Sequence, residues 1–369
     1  MRKKAIAIIG ANFGDEGKGQ MTDYQASINE NPIVIRFNGG AQAGHTVQLE
    51  LGSRHVFSHF GAGTFTGAPT FLSKFFICNP LLFHKEHQQL IKPKVFVDVN
   101  CMVTTPYDML LNQAQELDRG QFNLGSVGVG IFSTISRHNN FLPLQVKDLL
   151  SKKVLRDKVE KIKLHIIPQI PLSQIDIFNI CLDDGVFDQF IDACEYFIDN
   201  IELVFCDSFL SHNTFSTLIF EGAQGLMLDE DYGIMPHCTP SSCGAKNIAT
   251  LLSSYSDDLS VELIYMTRSY LTRHGAGPLA NEQRIPDIIN NLDKTNITNQ
   301  FQGNLRFANF TDYEVAKLMS RVELDAYHVK RFKAAYTFGI TWCNVIQPPK
   351  MLQKNAEYLF DGPTRNDII

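Results

Sequence analysis

What this chain has little of narrows it first. Its eight cysteines (Cys78, Cys101, Cys181, Cys194, Cys206, Cys238, Cys243 and Cys343) include no Cys-x-x-Cys pair. Zinc-site spacing is therefore missing, and a chain of 369 residues can build a core without a disulfide framework. They read as the reduced cysteines of a cytoplasmic protein. No run nears the roughly 18 apolar residues of a membrane helix, so no membrane partner is expected. The start, Met-Arg-Lys-Lys-Ala-Ile-Ala-Ile-Ile-Gly, sets charge before apolar residues as a signal peptide does. Its apolar run is only about five residues, below the usual ~7–15, and no small-residue cleavage site follows. It reads as a first β-strand. An excess of positive charge is missing too. The formal net charge is -6, which argues against a general electrostatic grip on nucleic acid. What is present is ordinary for a globular protein with a sizeable core: 44% hydrophobic and 20% charged residues.

Short apolar runs recur along the chain. Lys4 to Ile9, Pro32 to Phe37, Lys94 to Val99, Leu218 to Phe220, Val261 to Met266 and Tyr336 to Ile340 read as strands. They lack in-out alternation, which predicts a mostly parallel sheet covered on both faces. Tyr313 to Phe332 reads as a helix, with Val315, Leu318, Met319, Val322 and Ala326 at helical spacing. Lys152 to Lys163 reads as a solvated helix face. Strands alternating with helices predict an α/β fold with a mostly parallel central sheet and helices on both faces. No domain boundary stands out, so residues 1–369 are expected to form a single domain. The polar segment from Asn290 to Gln302 reads as a long, functional loop.

The chemistry concentrates at strand ends. Gly10-Ala-Asn-Phe-Gly14-Asp15-Glu16-Gly17-Lys18-Gly19 follows the first strand and opens a helix. Glycines let backbone N–H groups approach an anion, and a helix N-terminus and a lysine add favourable charge. This is not a Walker loop, since Asn12 and Gly19 occupy positions that need Gly and Ser or Thr. A carboxylate beside phosphate implies a metal ion or a proton transfer. The bland alternative is a glycine-rich turn with solvated charges. A second loop, Asn38-Gly39-Gly40-Ala41-Gln42-Ala43-Gly44-His45-Thr46, follows the second strand. Phe220-Glu221-Gly222-Ala223-Gln224-Gly225 is a third, whose Gln offers a donor and an acceptor to a base edge. Thr272-Arg273-His274-Gly275-Ala276-Gly277-Pro278 is a fourth. In open α/β sheets, sites form beyond the carboxyl ends of strands.

Together these segments resemble adenylosuccinate synthetases. The resemblance rests on Gly14-Asp15-Glu16-Gly17-Lys18-Gly19, Ala43-Gly44-His45-Thr46, Glu221-Gly222-Ala223-Gln224-Gly225, and Thr272-Arg273 with Gly275-Ala276-Gly277-Pro278. It covers about two thirds of the chain, with a divergent, shortened middle at about 143–218, and implies the family's P-loop-related fold. The family joins L-aspartate to C6 of a 6-oxopurine nucleoside monophosphate, using a nucleoside triphosphate and Mg²⁺. The resemblance implies Asp15 as base and metal ligand, His45 as acid, and a metal contact from the Gly44 carbonyl. Gly14, Gly17, Lys18 and Gly19 would hold phosphate. Gln224 would read the purine, Gln42 stands where the family has Asn, and Thr239 would hold the 5′-phosphate. A homodimer is also implied.

Departures from the family sharpen the expectation. Where its C-terminal strand ends Thr-Lys-Leu-Asp and selects guanine of GTP, this chain reads Thr341-Trp342-Cys343-Asn344. Asn344 cannot supply the double acceptor, but its amide can pair with adenine, and Trp342 can stack on a base. Gly362 and Pro363 belong to the same triphosphate-base site by resemblance. The family's four-arginine run reads Gly303-Asn304-Leu305-Arg306-Phe307, leaving Arg306 for aspartate. Its Gly-Thr-Thr-Gly loop reads Gly125-Ser126-Val127-Gly128, where Ser126 can still donate to the nucleotide. The arginine lent across the family's dimer has no clear match. Trp342-Cys343-Asn344, Cys238-Thr239 with Cys243, and Gly362-Pro363-Thr364-Arg365-Asn366-Asp367 look like phage enzymes that make 2-aminoadenylosuccinate from dGMP. Many of those carry a small residue where this chain keeps Asp15. The leading expectation is an ATP-dependent ligase acting on dGMP. The alternatives are an ordinary adenylosuccinate synthetase using IMP and GTP, and a non-catalytic nucleotide-binding paralogue.

Overall fold

The apolar runs become neighbouring strands in a computed structural model, which describes residues 3–122, 124–140, 142–296, 301 and 303–369. In chain order the strands of the main sheet are β1 (Lys4–Gly10), β2 (Pro32–Arg36), β3 (Thr70–Leu72), β4 (Val95–Asp98), β5 (Glu202–Val204), β6 (Thr217–Glu221), β7 (Ser260–Arg268), β8 (Lys333–Thr341) and β9 (Ala356–Leu359). Their spatial order is β9-β8-β7-β1-β6-β2-β3-β4-β5. Every neighbouring pair is parallel.

Successive side chains of a strand point to opposite faces, and both faces of this sheet are covered. Ala5, Ala7 and Ile9 of β1 join Phe220, Leu263 and Tyr265 on one face. Helices Ala245–Leu251 and Asp312–Ala326 close it with Ile248, Leu251, Val315, Leu318 and Val322. On the other face, Ile6 and Ile8 pack with Val34, Ile219 and Ile264 against Met21 and Ala26 of α1 (Lys18–Ile28). This two-sided burial removes the alternation a half-exposed sheet would show. The mostly parallel α/β architecture expected from the sequence is therefore observed.

Helix Asp312–Ala326 starts at a capping box: Thr311 accepts from Glu314 N, and the Glu314 carboxylate accepts from Thr311 N. It ends at Ala326 and tightens into the 3-10 turn Tyr327–Val329, short of the expected Phe332. Lys152–Ile166 is a helix whose Leu155, Val159, Ile162 and Ile166 are buried. Only its other face is solvated. Together with helix Asp184–Asp199 it packs in a cluster containing Leu72, Val95 and Val97, on the β3–β4 side of the sheet. Of the expected Asn290–Gln302 loop, residues 290–292 end the helix Asp287–Leu292, and 297–300 and 302 lie outside the described residues. All eight cysteines are free. No helix among the described residues is long and apolar enough to cross a membrane.

The parallel register brings carboxyl ends of strands level. Gly10 of β1 pairs Met266, Glu221 of β6 pairs Arg36, and Arg268 of β7 pairs Thr341. The loops that leave these ends build the site.

Candidate active site

The loop after β1 turns through left-handed backbone at Gly14 (φ 91°), Asp15 (φ 58°) and Gly17 (φ 86°). Aspartate is among the few non-glycine residues that tolerate this region. Gly17 has a second reason to lack a side chain: a Cβ there would lie 2.5 Å from Thr341 Cγ2. Glu16 folds back beneath the loop, and its Oε1 accepts from Asn12 N at 2.6 Å. Burial drives its pKa up to about 8, against the pull of Lys18 Nζ, which lies 4.0 Å from Oε2. A protonated Glu16 leaves the Lys18 ammonium uncompensated, which suits a loop that holds an anion. The Asp15 carbonyl accepts from Arg268 Nε at 2.6 Å, and its carboxylate Oδ2 lies 3.5 Å from His274 Nε2.

The loop after β2 delivers His45 into the hairpin His45–Gln48/Arg54–Phe57. Gly19 of α1 lets that strand sit against the helix: a Cβ there would lie 2.8 Å from Thr46 O. His45 Nδ1 lies 2.9 Å from Glu221 Oε1, and Glu221 Oε2 lies 3.8 Å from Arg36 Nε. The Glu221 carboxylate also accepts from Ala62 N at 3.2 Å. Both Glu221 and Arg36 are 0% exposed. Burial works to raise the Glu221 pKa, but His45, Arg36 and the Ala62 N–H overcome it and hold the group anionic. Burial lowers the His45 pKa against the opposing pull of Glu221. The carboxylate at Nδ1 is placed to stabilise the protonated ring, the form that also carries a proton at Nε2. Its Nε2 is buried without a partner among the described residues and borders the cleft.

The second and third loops are tied together. Asn38 Nδ2 donates to Ala223 O at 3.1 Å, and Ala223 N donates to Asn38 Oδ1 at 2.7 Å. This holds Gln224, with φ 57°, beside Gln42. Both polar atoms of the Gln42 amide are buried without a partner among the described residues. A buried amide with open donors and acceptors is costly unless a ligand satisfies it.

These loops surround one cleft of about 940 Å³. Gly14, Asp15, Gly17, Lys18, Gly19, Gln42, Gly44, His45, Ser126, Gln224, Thr239, Trp342, Asn344, Gly362 and Pro363 all line it. Ser126 Oγ accepts from Asn112 Nδ2 at 2.9 Å, and Gln20 Nε2 holds the Gly362 carbonyl at 2.8 Å. Trp342 takes φ 65°, with the Arg268 guanidinium 5.0 Å from its ring centroid. Arg306 is the expected residue that stands apart. Its guanidinium is taken up by Glu282, with Nε 3.0 Å from Oε1, and by the carbonyls of Gly275 and Gly277, and it is not among the lining residues. Arg273 lines the cleft instead. Its Nη2 donates to His237 O at 2.8 Å while its Nε has no partner among the described residues. Burial, helped by Arg306, brings its pKa down to about 10.

Glu221, Arg36, Arg268 and His274 carry contacts that the sequence reading did not assign. A signal for the first two was present. A lone charge ends each of two otherwise apolar strands, Ile-Val-Ile-Arg36 and Leu-Ile-Phe-Glu221, and opposite charges that end buried strands imply pairing.

A family model described as adenylosuccinate synthetase matches residues 7–303. The chain belongs to the adenylosuccinate synthetase family. The adenylosuccinate synthetase of Clostridium botulinum (strain Alaska E43 / Type E3) is 29% identical over 294 residues, 75% of this chain and 65% of that relative. The protein of that name from Prochlorococcus marinus (strain MIT 9312) is 29% identical over 289 residues, 75% of this chain and 64% of the relative. The chain thus spans slightly under two thirds of the length of these curated adenylosuccinate synthetases. Among solved structures, fully ligated adenylosuccinate synthetase from Plasmodium falciparum superposes with a TM-score of 0.78 at 20% identity, over 99% of both chains. Cyanophage S-2L succinoaminodeoxyadenylate synthetase, bound to dGMP and to dATP as an energy donor, gives 0.66 at 15% identity, over 100% of this chain and 95% of that one. At these identities the two structures speak for the adenylosuccinate synthetase fold.

Proposed function

We propose that the protein is an ATP- and Mg²⁺-dependent ligase that joins L-aspartate to C6 of dGMP, giving 2-amino-2′-deoxy-N6-succinyladenylate. The observation that carries the ligase reading is the meeting of Asp15, Lys18 and His45 on one cleft, from two different strand ends. In this reading O6 of the purine bonds to the γ-phosphorus of ATP while the Asp15 carboxylate takes the N1 proton, and the bond from that phosphorus to the bridging oxygen breaks so that ADP leaves with the electron pair. His45, backed by the Glu221 carboxylate, donates from Nε2 to the phosphoryl group in transfer. The amine of aspartate then bonds to C6 and loses a proton. The C6–O bond breaks, and phosphate leaves with its electron pair.

The donor set suits a metal that arrives with the triphosphate. Among the described residues no group of three His, Cys, Asp or Glu could hold a metal alone. The Asp15 carboxylate and Gly44 carbonyl are hard oxygen donors, and Mg²⁺ is commonly held by one or two carboxylates with phosphate oxygens and water. Bound there, it would neutralise charge on the triphosphate.

The dGMP and ATP assignments rest on the C-terminal departures, and the dGMP- and dATP-bound cyanophage enzyme with the same fold supports them. Asn344 stands exposed at the cleft, where an amide meets the donor and acceptor of adenine and a carboxylate would meet the paired donors of guanine. Asn344→Asp is expected to raise the ratio of kcat/KM for GTP over ATP by about 10- to 100-fold. An unchanged ratio would remove Asn344 from the triphosphate-base site. A second reading, IMP with GTP, is favoured by the retained Asp15 and by the names of the curated relatives.

The test is a product assay. Purified protein, Mg²⁺ and L-aspartate are offered dGMP or IMP, each with ATP or GTP, and products are read by mass spectrometry. A succinyl adduct from dGMP with ATP, abolished by excess EDTA, is the expected result. An adduct from IMP with GTP alone would establish the second reading, and full turnover in EDTA would refute the metal.

A further inference from the structure

His274 lies in the fourth strand-end loop, and the reading above gives it no task. Its side chain is 11% exposed and borders the cleft. Nε2 lies 3.5 Å from Asp15 Oδ2 and 3.3 Å from Asn296 Oδ1. Asn296 Nδ2 donates to Asp293 Oδ2 at 2.7 Å, and the same oxygen accepts from Arg268 Nη2 at 2.8 Å. Arg268 Nε returns to the Asp15 carbonyl. The contacts close a ring through Asp15, His274, Asn296, Asp293 and Arg268. Because the Asn296 amide nitrogen is used as a donor, its oxygen is an acceptor. His274 Nε2 therefore faces two acceptors, and the ring proton belongs on that nitrogen.

Asp15 is held at two separate points. Arg268 fixes its backbone, which sits in the left-handed region. His274 Nε2 faces its carboxylate at 3.5 Å, a position from which a ring N–H biases rotation of that group.

We propose that His274 is a positioning residue that turns the Asp15 carboxylate edge-on to the purine, so that its two oxygens meet N1–H and a 2-amino group together. The inference deepens the reading of Asp15 as the base and rests on it. A carboxylate has about four lone-pair sites. The His274 contact uses one on Oδ2 and leaves a second there for the 2-amino group, with Oδ1 facing N1. Hypoxanthine has no donor at C2 and leaves that acceptor unpaired, which is penalised where the bound base excludes water. A chain that keeps an acid at position 15 can in this way favour guanine.

Two variants of the full chain test this, His274→Leu and His274→Gln, with dGMP and IMP affinities measured by calorimetry in the absence of aspartate and triphosphate. His274→Leu is expected to lower the preference for dGMP over IMP by about tenfold. His274→Gln, whose amide N–H can reach the same oxygen, is expected to keep most of it. An unchanged ratio in the leucine variant, or equal losses in both variants and for both nucleotides, would overturn the proposal. The ratio is read from binding alone, so a protein that binds with the expected ratio but forms no adduct would count against the ligase reading and not against His274. An adduct from the unmodified protein together with an unchanged ratio in the leucine variant would sink the His274 proposal alone.

Discussion

Replacing Asp15 by asparagine should cost the protein its turnover while leaving its fold intact. The side chain is 32% exposed, the Arg268 contact uses the backbone carbonyl, which the substitution does not touch, and the asparagine oxygen can still face His274. Asparagine tolerates the same left-handed φ. Stability should therefore change by no more than about 0.5 kcal/mol. An amide cannot take the N1 proton, and loss of a positioned general base lowers kcat by about 10²- to 10⁴-fold. The same change also removes a donor for Mg²⁺, so the two roles must be separated. Turnover is measured at increasing Mg²⁺ until it saturates. A deficit that persists at saturation belongs to proton transfer, and recovery to within tenfold of the parent would refute Asp15 as the base.

How far the sequence spoke depended on how much of each strand it could mark. β1, β2, β4, β6, β7 and β8 carry buried runs long enough to stand out between polar segments. β3, Thr70–Leu72, is too short to give a pattern although it lies inside the sheet. β5 and β9 form the two edges, are only partly buried, and so lack a continuous apolar signal. The helical middle was obscure for another reason. Its charged outer face, from Lys152 onward, hides a buried stripe at helical spacing.

The site was more legible than the fold that carries it. Glycines mark places where backbone must come close or turn left-handed, and Gly14, Gly17 and Gly19 each meet such a demand. Local sequence therefore revealed the loops. It could not reveal partnerships across strands. Nothing near His45 announces that Glu221 lies beneath it, and nothing near Asp15 announces His274, about 260 positions away. Arg306 shows that a motif position does not announce its surroundings either. A lone arginine in a motif position reads as a ligand, yet Glu282 and two loop carbonyls already occupy its guanidinium.

Substituting Glu221 by glutamine should damage stability and catalysis together, and the two effects can be pulled apart. Glu221 and Arg36 are both 0% exposed, and the carboxylate also meets His45 Nδ1 at 2.9 Å. Losing the anion leaves the Arg36 charge buried beside the aromatic face of Phe76, without the carboxylate that lies 3.8 Å from it and with only the weaker influence of Glu86 to offset it. Breaking a buried pair from one side costs about 3–5 kcal/mol. For a chain of 369 residues this corresponds to a fall of roughly 4–6 °C in the melting temperature. Catalysis suffers because the imidazolium form of His45 loses the charge that would stabilise it. A fall of about 10²-fold in kcat follows if His45 is the acid. The double variant Glu221→Gln with Arg36→Met removes both buried charges. Replacing a buried pair by apolar packing is often close to neutral, so the melting temperature should recover most of the loss. Turnover should not recover, since His45 still lacks its carboxylate. If turnover returned with stability, the single variant would have failed through unfolding, and Glu221 would be a structural residue alone. If turnover stayed low in a protein that melted like the parent, the carboxylate behind His45 would belong to the chemistry.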